Sequence, residues 1–71
     1  MRRFIRNIQT NTFLAEDGTW TTDLDLAKEF VSDDDIRKAR NDYGLKDCEL
    51  YYCVGKTASK LDFAIPLSRL R

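Results

Sequence analysis

The stretch DLDLAKEFVSDDDIRKARNDYG, residues 23–44, is the only long segment of this chain with helical periodicity. In its first half, apolar residues recur at the spacing of one helical face: Leu24, Ala27, Phe30 and Val31. Thr22 or Asp23 can cap the first turn, because a short side-chain oxygen accepts from the backbone N–H groups there. The pattern predicts a first helix over residues 23–31.

The second half of the stretch predicts another helix, from Asp33 to Tyr43. Ser32, with Asp35 three residues later, approximates a capping box, and carboxylates in a first turn suit the positive end of the helix dipole. Gly44 can adopt the left-handed conformation that ends a helix. Because the apolar residues before and after Ser32 are out of phase for one straight helix, we expect a break at Ser32.

Short strands are predicted before the helical stretch. Residues 3–8 (RFIRNI) and 12–15 (TFLA) have strand composition and are close enough to form a hairpin. The Asp17–Gly18 pair is a turn signal, and residues 19–22 form a third strand or an extended lead into the helix. We expect Trp20 to pack between the hairpin and the first helix, because tryptophan is highly buried on average. The alternative for Trp20 is an exposed binding anchor.

Residues 47–54 (DCELYYCV) predict a strand after the helices. Side chains alternate between the two faces of a strand. One face therefore carries Cys48, Leu50, Tyr52 and Val54, and it is the better candidate for the core. The other face carries Asp47, Glu49, Tyr51 and Cys53.

Residues 61–67 (LDFAIPL) have the cleanest alternation in the chain. Leu61, Phe63, Ile65 and Leu67 point one way, while Asp62, Ala64 and Pro66 point the other. Because proline cannot donate to a strand ladder, this strand is expected to lie at an edge of the sheet or to end at Pro66.

These elements predict a single α+β domain over residues 1–71. Its chain order is β-β-α-α-β-β, with a small antiparallel sheet and two short helices packed on one face of it. The opposite sheet face, with Tyr51, Cys53 and Ala64, is expected to be solvated or to form an interface.

The composition fits a small folded domain that has little surplus stability. The chain has 71 residues, of which 42% are hydrophobic and 34% are charged, and its net charge is zero. A chain of this length buries only about 60% of its unfolded surface, so it needs good packing or a partner. The balanced charge removes the simplest argument for nucleic acid or an anionic membrane as the partner.

The two cysteines, Cys48 and Cys53, are five residues apart in a predicted strand. They are expected on opposite faces, where they cannot readily bridge. Thiols without a disulfide framework favour a reducing compartment. No stretch has the length of a membrane span, and MRRFIRN lacks the apolar run of a secretion signal. We therefore expect a cytoplasmic protein with no membrane partner.

No catalytic signature is present. The chain has no histidine, so Cys53 has no base to activate it. The Gly55–Lys56–Thr57 string lacks the upstream glycine of a phosphate-binding loop, and it is interpreted as a hairpin loop. A chain this small is also expected to lack room for a substrate pocket of several hundred Å³ beside its core. We expect no enzyme activity, cofactor or small-molecule substrate.

The charges of the helical stretch divide into an acidic half and a basic half. The carboxylates do not have the alternate spacing, central glycine and terminal glutamate of a calcium loop, so most of the acidic run is explained by helix capping and no metal is expected. The charged residues left as candidates for partner binding, with Tyr51 on the second sheet face, are Asp33, Asp34, Asp35, Arg37, Lys38 and Arg40.

Nucleic-acid binding is the alternative function. Arg2, Arg3 and Arg6 crowd the N-terminus. If they lie near the basic part of the second helix, the two sets form one surface that binds phosphates without sequence specificity. Tyrosines at positions 43, 51 and 52 would add stacking.

The first 40 residues contain a turn glycine and tryptophan in GTWTTD, then AKEF, then SDDDIRKA. This run resembles small uncharacterised bacterial and phage-encoded proteins, in which a β-hairpin is followed by a G-x-W-T-x-D element, an A-K-x-F helix and an acidic-capped helix. The resemblance implies no activity and no catalytic residue. It implies a phage or mobile-element accessory protein that acts by binding a host protein.

The chain is therefore predicted to be a small non-enzymatic, protein-binding module of adaptor or inhibitor type. Its partner is expected to be another protein or a second copy of itself. Self-association is expected through the edge strand over residues 61–67 or through the open sheet face.

Overall fold

The computed structural model describes residues 2–55 and 61–69, and these residues form a five-stranded sheet with one α-helix. Every pairing in the sheet is antiparallel, and the strand order is β3-β2-β1-β4-β5. The elements are β1 (Arg2–Asn7), β2 (Thr12–Leu14), β3 (Trp20–Thr21), α1 (Asp33–Tyr43), β4 (Cys48–Cys53) and β5 (Phe63–Pro66), followed by a 3₁₀ turn (Leu67–Arg69).

The fold is a small α+β arrangement, but the prediction of two helices is wrong. Residues 23–31 contain no helix. They make one turn, in which Leu26 N–H donates to Asp23 O. The backbone is then held by the sheet, because Lys28 N–H donates to Leu14 O at 2.9 Å and Phe30 N–H donates to Arg3 O at 2.8 Å. These long-range bonds replace the helical ones and keep the segment extended.

The apolar residues of this segment lie on both faces of the sheet and not along one face of a helix. Leu24 and Ala27 pack against the face that α1 does not cover. Phe30, 2% exposed, is buried on the side of α1. Val31 is 80% exposed. The spacing that predicted a helix therefore belongs to an extended segment that passes from one face of the sheet to the other. In so short a segment, long-range hydrogen bonds outweigh the local preference for a helix.

The helix α1 has the bounds and caps that the sequence predicts. Ser32 Oγ accepts from Asp35 N–H at 3.2 Å, and the first turn is acidic. Gly44 has φ 57°, and its N–H donates to Arg40 O. Ile36 and Ala39 form the buried face of α1.

Among the residues that the structure describes, no helix is long and apolar enough to cross a membrane.

Two apolar clusters occupy the two faces of the sheet. The helix-side cluster lies under α1, and the aromatic cluster lies on the opposite face. Cys48 belongs to the helix-side cluster and Cys53 to the aromatic cluster. No disulfide joins the two thiols, as their five-residue spacing predicts. The buried members of the helix-side cluster are Ile5, Leu14, Phe30, Ile36, Ala39, Cys48, Leu50 and Leu67, and those of the aromatic cluster are Phe4, Phe13, Tyr51 and Cys53.

Trp20 does not have the buried position predicted for it. It lies in the two-residue edge strand β3, opposite Leu14, and is 39% exposed. The burial prediction was wrong because the first helix, against which the ring was expected to pack, does not exist.

We predict that Phe30→Ala and Val31→Ala have very different effects on stability. Phe30→Ala opens a cavity in the helix-side cluster and should lower the free energy of unfolding by about 3–5 kcal/mol. Val31→Ala removes an exposed side chain and should change it by less than about 0.5 kcal/mol. Urea unfolding of both variants measures this. Similar losses for the two neighbours would contradict the extended segment and would fit a helix that buries both.

We also predict that Gly44→Ala lowers the free energy of unfolding by about 1–2 kcal/mol, because a Cβ is strained in the left-handed conformation. No atom lies within 4 Å of the added Cβ, so a clash cannot contribute to this loss. Gly44→Asn is the matched control, since asparagine tolerates this conformation better. Thermal unfolding of both variants should rank asparagine between alanine and glycine, and equal stability of all three would contradict the assignment.

Candidate interaction surface

The strand β5 forms one edge of the sheet. It pairs with β4 in the register Leu50↔Ile65 and Tyr52↔Phe63. Within residues 2–55 and 61–69, no strand pairs with its outer side. The prediction from Pro66, that this strand lies at an edge or ends there, is confirmed, since β5 is the last strand in the order and its last residue is Pro66.

The hydrogen bonds of β1 determine which backbone groups of β5 point outward. The carbonyls of Arg3 and Asn7 accept from residues on the β2 side, while Ile8 N–H donates to Asp47 O on the β4 side. Odd residues of β1 therefore bond toward β2 and even residues bond toward β4, because backbone groups alternate along a strand.

The same alternation continues through β4 into β5. The odd residues of β4 bond to β1, so Leu50 and Tyr52 bond to β5. Phe63 and Ile65 consequently direct their backbone groups toward β4. The N–H and C=O of Ala64 point away from the sheet, where they remain available to a further strand. Pro66 also faces outward, so its missing N–H removes no bond to β4.

The apolar side of β5, which the alternation of residues 61–67 predicts, is half-exposed. Phe63 is 46% exposed and Ile65 is 40% exposed, while Leu67 alone of the expected face is buried. The physical reason is that α1 does not extend over β5. The buried cluster beneath α1 takes its strand residues from β1, β2 and β4, and it contains none from β5.

Neighbouring apolar side chains extend this exposed region. The rings of Tyr52 and Phe63 stack with centroids 4.6 Å apart and an interplanar angle of 10°. Val54, two residues beyond Tyr52, is half-exposed, and Leu61 is 74% exposed. We call the outer side of β5 with these residues the β5 edge surface; it comprises Val54, Leu61, Phe63, Ala64 and Ile65.

The carboxylate of Asp62 is bound beneath this surface. Its Oδ1 accepts from Val54 N–H at 2.8 Å, and its Oδ2 accepts from the Tyr51 hydroxyl at 2.5 Å. Burial first, and then the hydrogen bond to Asp62, raise the pKa of Tyr51 to about 12. The charged side chain that precedes Phe63 is thus held toward the opposite sheet face, and the described residues of the β5 edge surface are apolar.

Tyr51, a predicted binding residue on an open face, is buried. Its ring contacts Phe13 edge-on at 5.3 Å, and the Arg6 guanidinium lies 4.5 Å from the ring centroid. Leu24 and Ala27 pack against the same aromatic cluster. The second sheet face is therefore covered from within the chain, and the expectation of an open face was wrong.

The three predicted acidic binding residues lie at the start of α1, where each has a structural contact. Asp33 pairs with Arg3 at 2.9 Å and Asp34 with Arg37 at 3.2 Å. Asp35 donates its backbone N–H to the Ser32 cap. These contacts account for the acidic run through capping and ion pairing.

The structure does not bring the basic residues into one surface. Arg37, Lys38 and Arg40 lie on α1. Arg2 and Arg6 lie on the other side of the sheet, with Phe4 and Tyr51, and they pair with Glu29 and Glu49. Arg3 is near α1 but pairs with Asp33 and also donates to Val31 O.

A hollow of about 460 Å³ lies at the C-terminal end of α1, where Arg40 and Lys46 border the apolar side chains of Leu45 and Leu67. Cys48 lines the hollow, and its thiol donates to Lys46 O at 3.3 Å. Burial, followed by the charges of Asp47 and Glu49, raises the pKa of the Cys48 thiol, so the reactive thiolate is disfavoured.

Within the part of the chain that the structure describes, no group of three or more potential ligands is placed to hold a metal ion. No family model matches the chain, and neither a curated protein nor a solved structure matches it significantly.

Sequence reasoning expected residues 61–67 to lie at an edge or to end at Pro66, and to offer a surface for self-association, but it did not single out Phe63 and Ile65. Two signals were available, the proline that ends the strand and the absence of lysine, arginine or glutamate within it. What the sequence did not reveal was that a single helix leaves this strand uncovered.

We predict that Tyr51 makes the protein less stable at alkaline pH. Its pKa is about 12 in the folded state and 10 when unperturbed. The neutral hydroxyl therefore contributes stability that is fully present below about pH 10 and is lost as the pH rises through 12. Tyr51→Phe should lower the free energy of unfolding by about 1 kcal/mol at neutral pH, because the hydrogen bond to Asp62 is lost. As the pH rises toward 12, the free energy of unfolding should fall less in this variant than in wild type.

Urea unfolding across this pH range measures the difference. Tyr43→Phe is the matched control, because Tyr43 lies half-exposed at the end of α1 and should retain the wild-type slope. An equally steep alkaline loss in Tyr51→Phe would contradict the assignment.

Proposed function

We propose that this chain is a small, non-enzymatic protein-binding module that captures an extended segment along β5. The observation that carries the proposal is the β5 edge surface, in which the backbone groups of Ala64 point away from β4, pair with no described strand, and lie between the half-exposed side chains of Phe63 and Ile65. An added strand gains affinity from main-chain hydrogen bonds and specificity from alternate side chains.

The character of this edge supports a binding role. Proteins commonly protect exposed edges with charged side chains, bulges or proline. Here Pro66 limits pairing at one end, but no charged side chain lies between Phe63 and Pro66. A contiguous exposed apolar region next to an open edge is typical of an interaction site.

The electrostatics favour a protein partner over nucleic acid. Arg2, Arg3 and Arg6 each pair with a carboxylate. Counterion release needs cations presented together to a phosphate backbone, and these arginines are divided between two sheet faces. The resemblance of the first 40 residues to phage-encoded accessory proteins adds the proposal that the partner is a host protein.

Selection of peptides from a random displayed library, followed by calorimetry, tests this function. We expect the selected peptides to have alternating apolar residues and to bind wild type. Ile65→Lys should weaken binding at least about tenfold, or 1.4 kcal/mol, because it places a charge among the apolar contacts. The matched control is Val31→Lys, which alters an equally apolar but distant exposed position and should bind as wild type does.

Failure to select any peptide above background would contradict the proposed function. So would binding that Ile65→Lys leaves unchanged.

A further inference from the structure

We propose that the strand which completes β5 is β5 of a second copy of this chain, paired antiparallel and centred on Ala64. This inference rests on the proposed function, because it uses the same β5 edge surface: a second copy occupies the edge whenever no segment of a host protein is bound there. The result is a symmetric dimer with one continuous sheet.

The direction of the backbone groups fixes the centre of pairing. Ala64 is the one residue inside β5 whose N–H and C=O both point outward, since Pro66 has no N–H. Placing Ala64 opposite its own copy forms two hydrogen bonds, one in each direction. A two-fold axis perpendicular to the sheet produces this arrangement, and it is the symmetry of an isologous dimer.

The side chains of β5 are complementary to themselves in this register. Each Phe63 lies opposite Ile65 of the partner subunit, and each Ile65 lies opposite Phe63 of the partner subunit. An aromatic residue facing a β-branched one is a favourable cross-strand pair. Because the axis is perpendicular to the sheet, both pairs lie on the face that carries α1. The exposed apolar side chains of the two copies therefore cover one another.

Charge does not oppose this contact. The strand has no charged side chain, so two copies bring no like charges together within it. Asp62, the nearest carboxylate, is engaged by the Tyr51 hydroxyl and Val54 N–H. This strand offers no electrostatic attraction to a highly charged partner. An identical strand is also uncharged, so its pairing does not depend on such attraction.

The size of the chain also favours a second copy. A domain of 71 residues leaves much of its apolar surface exposed, and pairing adds buried area that one helix does not supply. The contact is small compared with obligate dimers. We therefore expect reversible association in the micromolar range.

The register gives a sharp test by sedimentation equilibrium. Wild type should be a dimer at high concentration. Phe63→Glu and Ile65→Lys should each weaken self-association at least about tenfold. Mixing these two variants should restore association, because the introduced glutamate of one chain then faces the introduced lysine of the other while one native Phe–Ile pair remains. Val31→Lys is the matched control and should dimerise as wild type does.

Ala64→Pro tests the backbone bonds separately. The N–H of Ala64 faces away from β4, so the substitution should abolish the dimer while circular dichroism shows an unchanged fold. A dimer that survives Ala64→Pro, or variants that do not associate on mixing, would overturn the proposed pairing.

Wild type that remains a monomer at every concentration would also overturn the inference. The proposed function would survive that result if the selected peptides still bound in a manner that depends on Ile65. Absence of both peptide binding and dimerisation would overturn the inference and the proposed function together.

Discussion

The hydrogen bond from Phe30 N–H to Arg3 O determines much of this fold. Together with the bond from Lys28 N–H to Leu14 O, it holds residues 27–30 extended along β1 and β2. The segment cannot then form a helix, and α1 remains as the one helix among the described residues. One helix of 11 residues covers the centre of a five-stranded sheet and leaves its outer strands uncovered. The exposed apolar side of β5 follows from this geometry.

The second sheet face is stabilised differently. None of the helical residues in 2–55 and 61–69 covers it, yet the aromatic cluster of Phe4, Phe13, Tyr51 and Cys53 is buried. The cover consists of Leu24, Ala27, Arg2 and Arg6, and the guanidinium groups of the two arginines lie over aromatic rings while Glu29 and Glu49 balance their charge. Arg2 and Arg6, which suggested nucleic-acid binding, thus stabilise the fold. Their hydrocarbon stems and planar guanidinium groups cover the aromatic cluster, on the sheet face that no helix was predicted to cover.

Much of the structure was predictable where local rules and tertiary contacts agree. The helix α1 has the expected bounds because Ser32 and Gly44 cap it and Ile36 and Ala39 supply its buried face. The strand β4 places its two cysteines on opposite faces because its side chains alternate. The helical prediction for residues 23–31 was wrong because their backbone N–H groups donate to residues far away in the chain. The periodicity of the sequence gives no information about such long-range hydrogen bonds. The burial prediction for Trp20 was wrong for the same reason, since its ring was expected to pack against a helix over residues 23–31.

The account depends on whether the outward backbone groups of Ala64 bind another strand. Amide hydrogen exchange of Phe63, Ala64 and Ile65, compared at low and high protein concentration, tests this most directly. Phe63 and Ile65 should be protected at both concentrations, because their N–H groups bond to β4, while Ala64 should gain protection only at high concentration. Fast exchange of Ala64 at both concentrations would contradict pairing with a second copy, and protection at both would show that the edge is already paired within one chain.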